Sequence, residues 1–295
     1  MMIPELQTFK NKFTEKPVYL LALKRGVNTY VNSTGSNRKT GPIDLAFVVM
    51  PHSFLRDKST LKRGETLALY NQAEVCDSSC AHTQANYKRQ GVEPCYVTYN
   101  TLCHYDEAIK NAQEIALALG KPREFRFDPQ NHVVRSTVWG DISILDDDGR
   151  DYIESVLSVS KKRLAYSNSW KRSTQFNGLA QASISTQNEL KLALKKGLKG
   201  VYISTPTISS KMLRDLGTEI VRCNASVSNE HTCATCQTLC DGTRVILAEK
   251  VIVEGEESFL LNSHNYSGVD QEITVDNIFD HLLGMCEHSG EPPRA

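Results

Sequence analysis

The sequence has no apolar run long enough to span a bilayer; its longest, around Leu45–Met50, is the length of one buried strand. No membrane contact is therefore expected. The first residues, MMIPELQTFKNKFTEK, lack the apolar stretch of a secretory signal, and the expected location is the cytoplasm. Charge of one sign is missing too: 34 basic and 34 acidic residues leave a formal net charge of zero. A general nucleic-acid binder usually carries a basic excess, so no general nucleic-acid binding is expected. There is no P-loop, no G-x-S-x-G and no H-E-x-x-H, which removes three common signatures of phosphate-binding, hydrolytic and zinc-protease chemistry. Internal repeats and low-complexity segments are also absent.

What is present suits a globular protein with a real core: 295 residues, 40% hydrophobic and 23% charged, enough for one large domain or two ordinary ones. The nine cysteines stand out. In a reducing compartment they need an explanation other than disulfides, and eight of the nine fall into two short windows, which points to metal ligation.

The early window reads CDSSCAHTQANYKRQGVEPCYVTYNTLCH, with Cys76, Cys80 and Cys95 spaced C-x3-C-x14-C and with His82, Cys103 and His104 nearby. Thiolates are soft ligands that suit zinc or iron–sulfur clusters. Three cysteines without a fourth leave one iron of a 4Fe-4S cluster open to substrate. A fourth ligand from His82 or Cys103 instead closes a tetrahedral zinc site. Spacing alone does not choose between them.

The late window, CNASVSNEHTCATCQTLCDG, is the most specific signal in the chain. Its spacing is Cys223-x9-Cys233-x2-Cys236-x3-Cys240, with His231 as a spare donor. A C-x2-C pair brings two thiolates to one metal from one tight turn, and two further cysteines complete four ligands for zinc or a cubane cluster. Such a closed site is structural, or an electron conduit if it holds iron.

Between and around the windows, strand-like and helix-like stretches alternate. Strands are expected at Pro17–Lys24, Leu45–Met50, His132–Trp139, Arg163–Ser167, Leu179–Ile184, Gly200–Ser204 and Glu219–Arg222. Helices are expected over Asp106–Leu119, ending at Gly120, over Asp148–Val159, over Gln187–Lys196 behind a Ser185-Thr186 cap, and over Lys211–Leu216. Val245–Val253 and Glu257–Leu261 read as a hairpin and Asn277–Met285 as a terminal helix. The expected fold is α/β, a full or partial (β/α) barrel with a cysteine-rich metal-binding C-terminal extension; an open doubly wound sheet is the second choice. The expected divisions are an N-terminal extension (1–43), a barrel-like domain (44–222) and the metal site with its hairpin and helix (223–295).

Ligands of such folds collect at the carboxyl ends of strands. Gly140-Asp141 stands at one such end, where glycine lets backbone approach a ligand and the aspartate accepts hydrogen bonds or binds an amine. Tyr166–Trp170 (YSNSW) ends a later strand, and Ser183 and Ser185 the next. Asp146–Asp148 reads as a helix cap rather than a cation site.

The order G-S-N-R-K-T-G (Gly35–Gly41), C-x3-C-x-H, P-C-Y-V (Pro94–Val97), W-G-D (Trp139–Asp141) and C-N-A…T-C-x2-C-x3-C-x-G resembles a group of uncharacterised, cysteine-rich proteins encoded by phages and prophages. The resemblance runs from Gly35 to Gly242 and implies a host-cytoplasmic protein. More distantly, the chain is similar to radical S-adenosylmethionine enzymes, which carry a three-cysteine loop after the first strand of a partial barrel. That similarity implies a catalytic 4Fe-4S cluster on Cys76, Cys80 and Cys95, with S-adenosylmethionine held near Gly140, Asp141 and Ser183. It implies an auxiliary cluster on Cys223, Cys233, Cys236 and Cys240, an electron donor, and a small-molecule or nucleotide substrate. The family's usual second gap is two residues, against fourteen here. Two other expectations stand beside it. One is a zinc-stabilised interaction protein without catalysis. The other is a zinc-containing barrel transglycosylase acting on a nucleobase, with Asp141 as its catalytic group.

Overall fold

A computed structural model describes residues 1–27, 41–52, 75–76, 80, 87–90, 99–205, 207–216, 220–223, 232–233, 236, 240–248, 251–254 and 262–263. The chain opens with β1 (Met2–Pro4), β2 (Leu6–Lys10), β3 (Pro17–Lys24) and β4 (Leu45–Pro51). β2 and β3 form an antiparallel hairpin, and β3 pairs antiparallel with β4 along its whole length, from Val18 opposite Pro51 to Lys24 opposite Leu45. PVYLLALK and LAFVVMP are nearly continuous apolar runs because both strands are covered on both faces.

Helices α1 (Tyr87–Gln90) and α2 (Tyr99–Leu119) follow. The latter starts a full turn and more before the expected Asp106. Asp106 is fully buried inside it, along with Tyr105, Ala108, Ile109 and Ala112 at helical spacing. β5 (Glu124–Arg126) pairs antiparallel with β1, and β6 (Val133–Arg135) lies parallel to β4. This last strand is shorter than the expected His132–Trp139. Beyond Arg135 the pairing continues irregularly, Val138 N–H donating to Phe47 O and Val49 N–H to Trp139 O. Helix α3 (Asp147–Val159) and β7 (Lys162–Leu164, parallel to β6) complete a five-stranded sheet in the order β2-β3-β4-β6-β7.

Only Ala165 separates β7 from β8 (Tyr166–Ser167). Beyond it come β9 (Gln181–Ile184), α4 (Gln187–Lys195, capped by Thr186), β10 (Val201–Ile203), β11 (Thr207–Ser209), α5 (Ser210–Asp215), β12 (Ile220–Arg222), β13 (Val245–Leu247), β14 (Ile252–Glu254) and β15 (Asn262–Ser263). Six of these strands make a wholly parallel sheet in the order β15-β12-β13-β10-β9-β8. Among the described residues no sheet closes on itself.

The hairpin expected from Val245 is corrected in its described arm, Val245–Val253. Its first half divides into β13, which lies inside the parallel sheet between β10 and β12, and β14, which pairs in parallel with β11. The physical reason is burial: all three residues of β13 are covered, as a central strand requires. Residues 257–261 and the expected helix Asn277–Met285 lie outside the described residues.

Alternation along the parallel strands gives the sheet two different faces. Ala182, Ile184, Val201, Ile203, Val245 and Leu247 pack with Leu190 and Ala193 of α4, Leu213 of α5 and Trp170. Tyr202 and Ile246 belong instead to the large core that holds Tyr166, the late cysteines and the five-stranded sheet.

Candidate metal centre

The late cysteines sit against that second face. Cys223 directly follows β12, and its N–H donates to Leu247 O at 2.8 Å. Cys233 and Cys236 close a turn, the Cys236 N–H donating to Cys233 O at 3.3 Å. Cys240 is tied to the junction between the two sheets, its carbonyl accepting from Ala165 N–H at 3.2 Å. The Arg163 guanidinium donates to the next carbonyl, Asp241 O, at 3.1 Å through Nη2. Two glycines let this segment lie directly on backbone. A Cβ on Gly242 (φ +88°) would stand 2.4 Å from Ala180 N, and one on Gly200 would stand 2.1 Å from Gly242 O. Cys223, Cys233 and Cys240 are buried and Cys236 is half-buried.

Burial pushes the Cys240 thiol well above its ordinary range. The neighbouring Cys233 adds to that, and Cys223 and Cys236 add less. One contact opposes them: the Tyr166 hydroxyl donates to Cys240 Sγ at 2.7 Å. Tyr166 is likewise raised, first by burial and then by Cys240 and Cys233. Among the described residues, no three His, Cys, Asp or Glu side chains form a group arranged to hold a metal ion. The donor set nevertheless fits one chemically. Three further thiols lie within electrostatic reach of Cys240, and four thiols are a soft donor set of the kind that zinc or iron takes.

The surroundings of Tyr166 are polar in an unusual way. Its ring meets Tyr202 edge-on, with centroids 5.7 Å apart. Its direct partner across the β8–β9 pairing is Gln181, and directly paired residues share a face. Gln181 is fully buried, and among the described residues neither its side-chain nitrogen nor its oxygen has a hydrogen-bond partner. Sequence reasoning passed over it. The signal was there in the alternation QASI, which puts Gln181 and Ser183 on one face and Ala182 and Ile184 on the other. Ser183 is half-buried opposite Tyr202, and its carbonyl accepts from the Trp170 indole at 2.9 Å. Trp170 itself is core.

The Gly140-Asp141 turn is built differently. Gly140 has φ +75°, and a Cβ there would stand 2.6 Å from Val49 Cβ and 2.7 Å from Val49 O. Asp141, 4% exposed, accepts from the N–H groups of Ser143 (2.9 Å), Asn168 (2.6 Å) and Ser169 (2.9 Å) and from the Ser167 hydroxyl (3.1 Å). A carboxylate has about four acceptor positions. The chain itself occupies them, which leaves the carboxylate little capacity to take an amine or a substrate proton. The Asp141 N–H donates to Val75 O at 2.8 Å and so anchors the start of the early cysteine loop to this turn.

On that loop Cys76 is half-buried and Cys80 buried. Cys95, His82 and the side chain of Cys103 lie outside the described residues, as do His231 and residues 28–40 of the polar loop. His104 is exposed on α2. Asp146 caps α3 by accepting from Gly149 N–H at 3.0 Å, as expected of the aspartate run. Among the described residues no helix is long and apolar enough to cross a membrane.

No protein family, curated protein or solved structure matches this chain.

Proposed function

We propose that this chain is an iron–sulfur protein whose late cysteines, Cys223, Cys233, Cys236 and Cys240, hold a 4Fe-4S cluster against the inner face of the parallel sheet. The observation that carries this reading is the neighbourhood of Cys240: three further thiols within electrostatic reach and a phenol donating to its sulfur. Buried sulfur accepting hydrogen bonds is the environment in which a cluster's charge is stabilised and its potential set. When bound, such a cluster supplies one-electron transfer. The chain's own residues hold the cysteine segment on the sheet, exclude water with Tyr166, Tyr202 and Ile246, and brace the backbone through Arg163 and Ala165.

The early loop extends the same reading. Cys76, Cys80 and Cys95 would hold a second cluster, and S-adenosylmethionine chemistry on a small-molecule or nucleotide substrate is the activity proposed there, with an external electron donor. Anchoring of Val75 to Asp141 supports a loop set in place by the strand ends of β4 and β6. In this reading Asp141 positions the loop and the Asn168–Ser169 backbone rather than reacting. The nucleobase transglycosylase alternative has less support, because its catalytic candidate is the carboxylate whose acceptors the chain occupies.

Anaerobic purification followed by iron, sulfide and zinc analysis is the test. Iron with equivalent sulfide, and a brown protein that loses part of its iron in Cys233→Ser, is the expected result. A colourless protein carrying zinc alone overturns the reading in favour of a zinc-stabilised interaction protein.

A further inference from the structure

We infer that Tyr166 and Gln181 are the donor pair of the metal centre: Tyr166 gives its hydroxyl proton to the Cys240 sulfur, and Gln181 turns its carboxamide N–H toward the same sulfur-lined space. This rests on the reading of the late cysteines as a metal centre and goes beyond it by naming the groups that tune it. Tyr166 opens the strand-end segment YSNSW, whereas Gln181 belongs to no motif of the sequence.

Three observations carry the inference. The Tyr166 hydroxyl lies 2.7 Å from Cys240 Sγ, a short contact for oxygen and sulfur. Gln181 is fully buried with both amide atoms unpartnered, although such an amide is costly to bury and is ordinarily matched. The two residues are directly paired across β8 and β9, so the unmatched amide shares the face that the phenol and the cysteines occupy.

Among the described residues nothing uses that amide. Leucine at this position would fill similar space without the desolvation cost. A sulfur-rich bound group supplies the missing acceptor: thiolate or sulfide carries negative charge that an N–H or O–H donor disperses. Donors of this kind hold ligands in place and stabilise the reduced, more negative state. Both residues act through sulfur rather than on a substrate, so they are positioning residues.

The test uses the full chain, purified anaerobically, as wild type, Tyr166→Phe and Gln181→Leu. Metal content per chain is measured first, then the rate of metal loss to a chelator and the reduction potential. Tyr166→Phe keeps the ring and removes only the donor. It is expected to load metal like the wild type, to lose it about tenfold faster or more, and to have a lower potential. Gln181→Leu is expected to make the metal-free protein more resistant to urea while the loaded protein loses its metal faster. That opposition of signs separates a reserved donor from a merely buried amide.

If either variant loads and releases metal at the wild-type rate and potential, the pair is overturned while the metal centre stands. If the wild type holds no metal, the centre and the inference fall together. Should Tyr166→Phe fail to fold, Gln181→Leu decides alone, because it removes an unmatched polar group and adds none.

Discussion

Two buried polar clusters flank the junction between the sheets, and they are finished to different degrees. Around Asp141 every strong group is matched: one carboxylate takes four donors, and its own N–H meets Val75 O. Around Cys240 burial and the neighbouring thiols push the Cys240 thiol up, and an amide on the same face has no hydrogen-bond partner among the described residues. A matched cluster is complete within the chain and serves the fold. An unmatched one carries the desolvation cost of its polar groups without that return. The difference distinguishes the two clusters more clearly than residue type does, since an aspartate at a strand end invites a catalytic reading before its neighbours are known.

The largest effect that sharpens this contrast is expected at the unmatched cluster, and only in loaded protein. Cys233→Ser should abolish the stabilisation that metal brings, about 4 kcal/mol or more for a ligand present at roughly a thousand times its Kd. The metal-free protein should change far less. Urea unfolding with and without metal measures both. Equal losses in the two forms would break the contrast.

Next in size is Asp141→Ala. It leaves the Ser167 hydroxyl and three backbone N–H groups without their acceptor in a buried place, at a cost on the order of 3 kcal/mol. The loss should be the same in loaded and metal-free protein. Full stability with lost metal would show that the carboxylate serves a ligand after all.

Gly140→Ala follows, at about 2 kcal/mol. The new methyl must enter a left-handed backbone conformation while colliding with Val49. Thermal unfolding checks it, and metal content per folded chain should not move.

The smallest effect is a pH slope away from both clusters, on α3. Tyr152 packs against Phe9 and Phe47, and burial holds its phenol above its ordinary value of 10.0. Below pH 10.0 both folded and unfolded chains keep the proton, so this residue adds no pH dependence. As pH rises further the unfolded chain releases the proton first and stability falls, by at most about 1.4 kcal/mol per pH unit. Tyr152→Phe should remove that component, seen as the difference between wild-type and variant urea midpoints above and below this value.

Local sequence carried much of the architecture. Pro17–Lys24 and Leu45–Pro51 are legible because an apolar run bounded by polar turns has few other uses. Thr186 and Gly197 mark the ends of α4 by cap chemistry that needs no partner from elsewhere. Legibility ended where distant segments decide. The start of α2 was misplaced because Asp106 resembles a helix-opening residue, and its burial depends on what packs over it. The arm at Val245 reads as one strand of a hairpin because three apolar residues suit an edge or a centre equally, and only pairing with β10 and β12 distinguishes them. Asp141 looked available because its donors at Ser167, Asn168 and Ser169 are more than twenty residues away.

By itself the sequence determined the donor inventory: late cysteines at metal-ligand spacing, strands that alternate apolar and polar, and caps at helix ends. These follow from residue chemistry and short-range geometry, which act over a few positions of chain. Only the tertiary structure decided which buried polar groups are satisfied. It placed Cys240 under the Tyr166 hydroxyl, left Gln181 unmatched beside it, and surrounded Asp141 with donors. Satisfaction is a property of neighbours in space, and those neighbours arrive from strands the sequence does not pair in advance.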